Sequence, residues 1–362
     1  MDRILNKQKF SNLFIFNLET NLDSPALAFT HEWIAEFSNH YKKVFVYSFK
    51  VGRTGLPRNV SVHELGSGNS LQRIKNILYH FIIVFKILLK RSEAQVFYHM
   101  NVRSAMLIGL PLKLFRINQV LWYSHSAIPR SLRFATKFVD TIVSTSRKSF
   151  PISTRKLICT GHGIVFPDIS ESISRQRQII VVLGRVSRSK RIHHLIPEIA
   201  KFNSFQTSKK LVLDVLGQTM TNDDLRYQNE LIKIAHTYNV NVNFKGSIPK
   251  AEIFDRLSTY FVSYNGMEGT IDKAAIEATY AGCYLVSDQV ETLKQCGFIS
   301  KDEITEGILP SISTQLKNVY EINEHDLFVI RQSVKVYVRN HHSLNKTIEK
   351  IVSLLQSQDI RN

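Results

Sequence analysis

Cysteine is scarce. The 362 residues hold three, Cys159, Cys283 and Cys296, widely spaced and odd in number. There is no CxxC pair and no Cys/His metal spacing, so a disulfide scaffold is excluded and free thiols in a reducing compartment are expected. Long hydrophobic runs are also lacking. The longest, Ile77–Leu89, is interrupted by Tyr79, His80 and Lys86. It falls short of the roughly 20 apolar residues that a membrane-spanning helix needs. The polar stretch Met1–Phe10 has no apolar segment or cleavage site of a signal peptide. Glycine, at 15 residues, is far too rare for a collagen-like chain. No GxSxG, HExxH, GK[ST] or DxD stretch occurs. Serine-hydrolase, zincin, P-loop and DxD metal-dependent transferase chemistry therefore have no support.

Acidic residues are the other shortage, and they are short in one place. The whole chain has 47 Lys plus Arg against 30 Asp plus Glu, a formal charge of +17. Residues 1–167 carry 23 basic and 8 acidic side chains, whereas 168–362 carry 24 and 22. The positive field belongs to the first half and favours anionic partners. Apolar residues are plentiful, at 44% with 22 Phe and 13 Tyr, enough to exclude disorder as the main state. The length suggests about two domains.

Short apolar runs alternate with amphipathic segments. Leu13–Asn17, Lys43–Ser48, Val60–His63, Gln95–His99, Val120–His125 and Thr141–Ser144 read as strands, with helices over 26–40, 70–91, 102–115 and 130–137. After Gly161-His162-Gly163-Ile164 and a polar linker, 168–178, a second series begins. Its strands are Ile179–Leu183, Leu211–Leu216, Val240–Phe244, Phe261–Tyr264 and Tyr284–Ser287. Helices are expected over 192–203, 223–238, 250–257, 272–281, 310–319 and 325–338. Such alternation predicts α/β architecture: two doubly wound Rossmann-like domains facing a cleft. The expected divisions are 1–167, 168–342 and a final helix in 343–362 that returns to the first domain.

Within helix 70–91, Leu71, Ile74, Leu78, Phe81, Phe85 and Leu88 follow three-four spacing and predict the buried face. Further apolar residues (Ile77, Ile82, Ile83, Val84, Ile87) exceed what one face requires, and Lys75, Lys86 and Lys90 lie close together. One reading is a helix resting on an anionic membrane. The competing one is a core or interdomain helix with snorkelling lysines.

Two segments carry candidate chemistry. In Gly184-Arg185-Val186-Ser187-Arg188-Ser189-Lys190 a strand ends in a tight turn, and two cations precede a helix. A diphosphate suits that position because helix dipole and side chains add. In Asn265-Gly266-Met267-Glu268-Gly269-Thr270-Ile271-Asp272-Lys273 a strand enters a glycine-bearing loop before a helix. Amides there can hold phosphate oxygens. Glu277, about one and a half turns into that helix, can accept from two ribose hydroxyls.

Together these segments resemble retaining glycosyltransferases of the GT-B fold, specifically glycosyltransferase family 4. Gly184 to Lys190 matches the G-R-x-S-x-x-K stretch that opens the second domain. Thr270 to Ala278 looks like the S-L-D-K-x-x-L-E-A variant of the donor segment. Cys159 to Ile164 resembles the N/H-G-I-D domain boundary, with Val165 where the Asp would stand. The family's first Glu stands eight residues before the second, whereas Glu268 stands nine before Glu277. Asn21-Leu22-Asp23-Ser24-Pro25 replaces the Gly-Gly after the first strand.

The resemblance implies metal-independent sugar transfer with retention, in surface polysaccharide biosynthesis. The donor would be a UDP- or GDP-sugar, with no further cofactor. Gly184, Arg185, Lys190, Gly269, Thr270, Ile271 and Glu277 would bind the donor nucleotide. His125, Glu268 and His99 would contact the sugar. The implied acceptor is a lipid-linked saccharide or glycolipid, reached from the cytoplasmic face of an anionic membrane through the basic N-terminal domain and helix 70–91. His31 and Glu32 read as structural. Gly66-Ser67-Gly68 lacks the third glycine of a dinucleotide fingerprint. The remaining alternatives are a non-catalytic or epimerase-like GT-B relative and a charge-driven nucleic-acid-binding protein. The latter calls for a recognisable module with interleaved aromatics, which is absent, so no nucleic-acid partner is expected.

Overall fold

Parallel strands joined by helical crossovers follow from apolar runs that alternate with amphipathic segments, and the computed structural model has this arrangement. It describes residues 10–24, 27–66, 68–169, 174–205, 210–299 and 309–357. The polar N-terminal stretch up to Lys9, Pro25, Ser67 and part of the expected linker, 170–173, lie outside the described residues. The chain forms two compact units, 1–165 with 342–362, and 166–341.

The first unit contains β1 (Phe10–Thr20), α1 (Phe29–His40), β2 (Tyr41–Val51), β3 (Val60–Glu64), α2 (Ser70–Leu88) and β4 (Ala94–His99). It continues with α3 (Val102–Leu114), β5 (Asn118–Trp122), α4 (Arg130–Phe138), β6 (Thr141–Ser144) and β7 (Leu157–Cys159). The second unit comprises β8 (Gln176–Leu183), α5 (Ile192–Ser204), β9 (Val212–Leu216), α6 (Asn222–Thr237), β10 (Val242–Gly246) and α7 (Ile253–Ser258). It ends with β11 (Tyr260–Tyr264), α8 (Lys273–Tyr280), β12 (Tyr284–Val286), α9 (Val290–Gln295), α10 (Ile312–Glu321) and α11 (Glu324–His342), before α12 (Leu344–Gln356).

The first sheet is wholly parallel, in the order β3-β2-β1-β4-β5-β6-β7. Its central strand β4 is buried along its full length, as a parallel strand covered on both faces must be. One face packs against α2, α3 and α4 through Ile83, Val84, Ile108 and Leu132. The other is filled by α1 and α12 through Trp33, Phe37, Ile348 and Ile351. The return of α12 is hydrogen-bonded in place. Ile164 N–H donates to the His342 carbonyl at 2.8 Å, and Leu344 N–H donates back to the Ile164 carbonyl at 2.9 Å. Farther along, Asn118 Nδ2 donates to the carbonyls of Leu354 and Leu355. The Gly161–Ile164 motif thus has a structural task. Gly163 adopts φ +65°, and a Cβ there would stand 2.4 Å from Trp33 Cζ2. The Gly163 carbonyl accepts from Trp33 Nε1 at 3.0 Å.

The expected orientation of α2 is reversed. The buried positions are His80, Ile83, Val84 and Ile87. Leu71, Ile74, Leu78, Phe81 and Phe85 form the opposite, exposed side, while Leu88 is partly buried. The buried side is fixed by polar bonds that periodicity does not weigh. His80 Nδ1–H donates to the Asn76 carbonyl at 2.6 Å, so Nε2 accepts from the Ser104 hydroxyl at 2.9 Å, tying α2 to α3. Burial holds the His80 ring below the usual imidazole pKa, favouring this neutral form. No helix among the described residues is long and apolar enough to cross a membrane.

The second sheet is also parallel, in the order β10-β9-β8-β11-β12. Helices α5, α6 and α10 share one core with its strands, through Leu195, Ile199, Leu231 and Leu316. Leu257 of α7 and Ala278 of α8 belong to a separate core that includes Val181 of β8. Strand β7 and helix α9 were not expected from the sequence.

Candidate functional site

The carboxyl ends of β8 and β11 bring the two motif segments together. Gly184 follows β8 with φ +113°, a conformation that side-chain-bearing residues rarely adopt. A Cβ there would lie 2.6 Å from Lys190 Nζ. The missing side chain is therefore the passage through which Lys190 crosses the turn. Lys190 ends a short 3₁₀ turn, Arg188–Lys190, and its side chain is only 10% exposed.

The lysine crosses to Asp272, the N-cap of α8. Its ammonium forms an ion pair with Asp272 Oδ2, which also accepts from Asn265 Nδ2 at 2.6 Å. Asp272 Oδ1 accepts from the Ala274 amide at 3.2 Å, satisfying one of the free donors of the helix start. Burial opposes ionisation of this carboxyl. Lys190, Asn265 and the Ala274 amide overcome it and hold the group below the usual carboxylate range. Lys190 is thus a pinned cation, not the free one that the motif suggested.

Arg185 is different. Its side chain is about half exposed, and Nε lies 3.8 Å from Asp224 Oδ2. Burial works against the charge on Asp224, but bonds from the Met220 amide and from Thr221 keep its carboxyl low. Asp224 also closes a capping box with Thr221 at the start of α6. A third cation, Arg191, was not singled out from sequence, although it directly follows Lys190. It takes φ +53°, forms an ion pair with Glu268, and places Nη2 3.1 Å from Asp288 Oδ2. Tyr264 Oη donates to its carbonyl at 3.4 Å.

Glu268, expected to contact the sugar, is mostly exposed and ion-paired with Arg191. Gly269 takes φ +78° and, with Thr270 and buried Ile271, leads from Glu268 to the Asp272 cap. Glu277 is nearly buried within α8, where Oε1 lies 2.9 Å from Lys273 Nζ. Among the expected donor residues, Gly184, Lys190 and Gly269–Ile271 thus gather around the start of α8, whereas Arg185 faces Asp224 at the start of α6. Glu277 lies one turn farther along that helix. The residues missed, Arg191, Asn265 and Asp272, hold those groups in place. Only Asp272 carried a sequence signal, as a capping residue ahead of a helix.

The two histidines belong to the first unit. His125 lies three residues past the end of β5, because the strand stops at Trp122 and not at the histidine. It is exposed; its Nδ1 accepts from the Ala127 amide at 2.9 Å, leaving Nε2 as the donor of the neutral ring. His99, at the end of β4, does not fit its expected role of touching substrate. It is 3% exposed and packed among Trp33, Phe97 and Trp122, with ring centroids 4.7 Å from Trp33. Burial lowers its pKa to about 3, and Nε2 has no hydrogen-bond partner. It packs as a neutral aromatic ring. His31 accepts from the Gly55 amide at 3.0 Å. Among the described residues, no three His, Cys, Asp or Glu side chains cluster as a metal site would require.

No family model and no curated protein matches the chain in sequence. Solved structures match it in fold. Anabaena Alr3699/HepE, in complex with UDP and glucose, superposes with a TM-score of 0.67 at 12% identity, covering 95% of this chain and 99% of that one. A glycosyltransferase from Rickettsia africae ESF-5 gives 0.65 at 13%, covering 97% and 98%. An α,α-trehalose 6-phosphate synthase from Burkholderia multivorans gives 0.69 at 10%, covering 97% and 100%. These likenesses extend over nearly the whole chain, and the fold, two parallel-sheet Rossmann-like domains, is that of the GT-B glycosyltransferases.

Proposed function

We propose that the protein is a retaining glycosyltransferase of the family 4 type. It would move a sugar from a nucleotide diphosphate sugar, without a metal, to a lipid-linked saccharide or glycolipid in surface polysaccharide synthesis. The observation that carries this reading is the meeting of Gly184 and Lys190 with the capped start of α8 at the carboxyl ends of β8 and β11. In open parallel sheets, ligands bind at those ends. Two structures of similar fold, Anabaena HepE with UDP and glucose and with UDP-glucose, agree with a sugar nucleotide as donor.

In this reaction the bond between the anomeric carbon and a diphosphate oxygen breaks, a bond to an acceptor hydroxyl oxygen forms on the same face, and the hydroxyl proton passes to the departing diphosphate. Negative charge grows on the departing diphosphate. Arg185, half exposed, and the amides of Gly269–Ile271 meet that charge. Lys190 supplies fixed positive charge from its bond to Asp272. Glu277 holds the ribose, and Glu268 must leave Arg191 to reach sugar hydroxyls. His125 donates from Nε2 to the sugar. His99, enclosed by indole rings, serves to pack the first unit. The protein acts from the cytoplasmic side of a membrane, which its lipid acceptor requires.

One observation favours the reading of a non-catalytic relative: each of Arg185, Lys190 and Arg191 already faces a carboxylate. A thermal-shift screen against UDP, GDP, ADP and CMP, with and without EDTA, decides between them. Ligand at about 100 times its dissociation constant stabilises by about 2.7 kcal/mol. A shift with one diphosphate, unchanged by EDTA and lost in Arg185→Ala, is the expected result. No shift with any nucleotide would sink the transferase reading.

A further inference from the structure

The exposed side of α2 is a feature that folding leaves unexplained. Leu71, Leu78, Phe81 and Phe85 each expose more than half of their area, as does Leu89 just beyond the helix. They share one stripe, opposite the side that packs on the sheet. Apolar side chains exposed singly are ordinary, but a continuous stripe on a folded protein marks a binding surface. Leu114 at the end of α3 and Phe134 on α4, helices that pack into the same core as α2, are also about half exposed or more.

The charge around it is one-sided. From Ser70 to Phe138 the chain has eleven Lys or Arg and one acidic residue, Glu93. All eleven basic side chains are exposed. Among the described residues, none of the eleven forms an ion pair with a carboxylate. Lys75, Lys86 and Lys90 flank the stripe of α2, while Arg130, Arg133 and Lys137 lie on α4.

We infer that the α2–α3–α4 face is a docking surface for an anionic lipid bilayer, on which α2 lies flat with Leu78, Phe81 and Phe85 among the acyl chains. It rests on the transferase reading only for its purpose, as the means of reaching a lipid acceptor. Charge selects the occupant. A second copy applied face to face would bring two sets of eleven unpaired cations together, which repel. Anionic headgroups complement them, and long basic side chains reach the headgroups while apolar neighbours enter below. At 19 residues α2 spans about 28 Å at 1.5 Å per residue, long enough to lie in the interface with its buried side packed on the sheet and its exposed apolar stripe toward the acyl chains.

The test is co-sedimentation of the full chain with vesicles of phosphatidylcholine alone and of phosphatidylcholine with equal phosphatidylglycerol. Binding should be at least tenfold stronger on the anionic vesicles and should weaken as salt rises. A variant with Phe81→Ser and Phe85→Ser should lose at least tenfold. A variant with Lys86→Glu and Lys90→Glu should lose binding and much of the salt dependence. Far-UV circular dichroism checks that each folds, and the nucleotide thermal shift, read separately, should be unchanged in both. Equal binding to both vesicles, no binding, or full binding by the phenylalanine variant overturns the inference. So does a concentration-dependent dimer that the phenylalanine variant abolishes while vesicles capture nothing, since the face then belongs to a second copy. Vesicle binding without any nucleotide shift would leave the docking surface standing and remove the transferase reading.

Discussion

Replacing Asp272 by Asn should strain the second unit through Lys190. The two side chains are about one-tenth exposed and bonded to each other, and Asp272 also caps α8. Breaking a buried ion pair by removing one partner costs about 3–5 kcal/mol, because the remaining charge is left unpaired. An amide retains the cap in part, so most of that loss comes from Lys190. Replacing Lys190 by Met as well removes the stranded charge, and the double variant should recover about 2–3 kcal/mol relative to the sum of the singles. Urea unfolding followed by circular dichroism measures this. Both tryptophans, Trp33 and Trp122, are in the first unit, so their fluorescence supplies an internal control that should hardly move. The pH dependence has a fixed sign. Asp272 is held below its unfolded value near 4, so its contribution is complete above about pH 4 and is lost below it as the carboxyl protonates. The penalty of Asp272→Asn should shrink over that acid range. Additive single effects, or a penalty independent of pH down to the acid limit, would refute the claim that Lys190 is held by Asp272.

Gly184→Ala should abolish the nucleotide thermal shift, since the added methyl meets Lys190 Nζ at 2.6 Å in a strained backbone. Gly163→Ala should destabilise the first unit by about 1–3 kcal/mol and change the tryptophan emission, because its Cβ would enter the Trp33 ring. His99→Phe should flatten the acid side of the first unit's stability. The neutral ring is favoured on folding, so stability is lost as pH falls from about 6.5 towards the folded pKa of about 3. Between pH 7 and 5 that loss is about 2 kcal/mol, read as a difference in urea midpoint by tryptophan fluorescence between variant and parent.

The two parallel sheets were legible because their strands are short apolar runs between amphipathic segments, and β4 or β11 can satisfy that pattern only when covered on both faces. Strand β7, at three residues, is too short to carry a period, and α9, at six, has under two turns. At the candidate site, residue types and spacing singled out Gly184, Lys190 and Glu277, but not who neutralises whom. Whether Lys190 points at a ligand or at Asp272 depends on the packing of β8 against β11. Local spacing has no information on that contact, which joins residues 82 positions apart. His99 was misread for a related reason. A histidine at a strand end can face solvent or fill a core, and the deciding neighbours, Trp33 and Trp122, come from α1 and β5.

Helix α2 shows where a periodic pattern stops being informative. Its apolar residues occupy both sides, so three-four spacing finds the richer stripe but cannot say which side the sheet covers. The structure buries the poorer one, with His80 bonded to Asn76 and Ser104, and leaves Phe81 and Phe85 in water. Buried apolar area is the main source of stability, so a fold that exposes its greasier stripe gains little from those residues. Serine at Phe81 or Phe85 should therefore change stability by no more than about 0.5 kcal/mol, whereas Ile83→Ala on the buried side should cost about 2–5 kcal/mol. Urea unfolding by tryptophan fluorescence separates these outcomes. A large penalty at Phe81 would mean that the stripe is core, and both the orientation of α2 and the docking surface built on it would fall together.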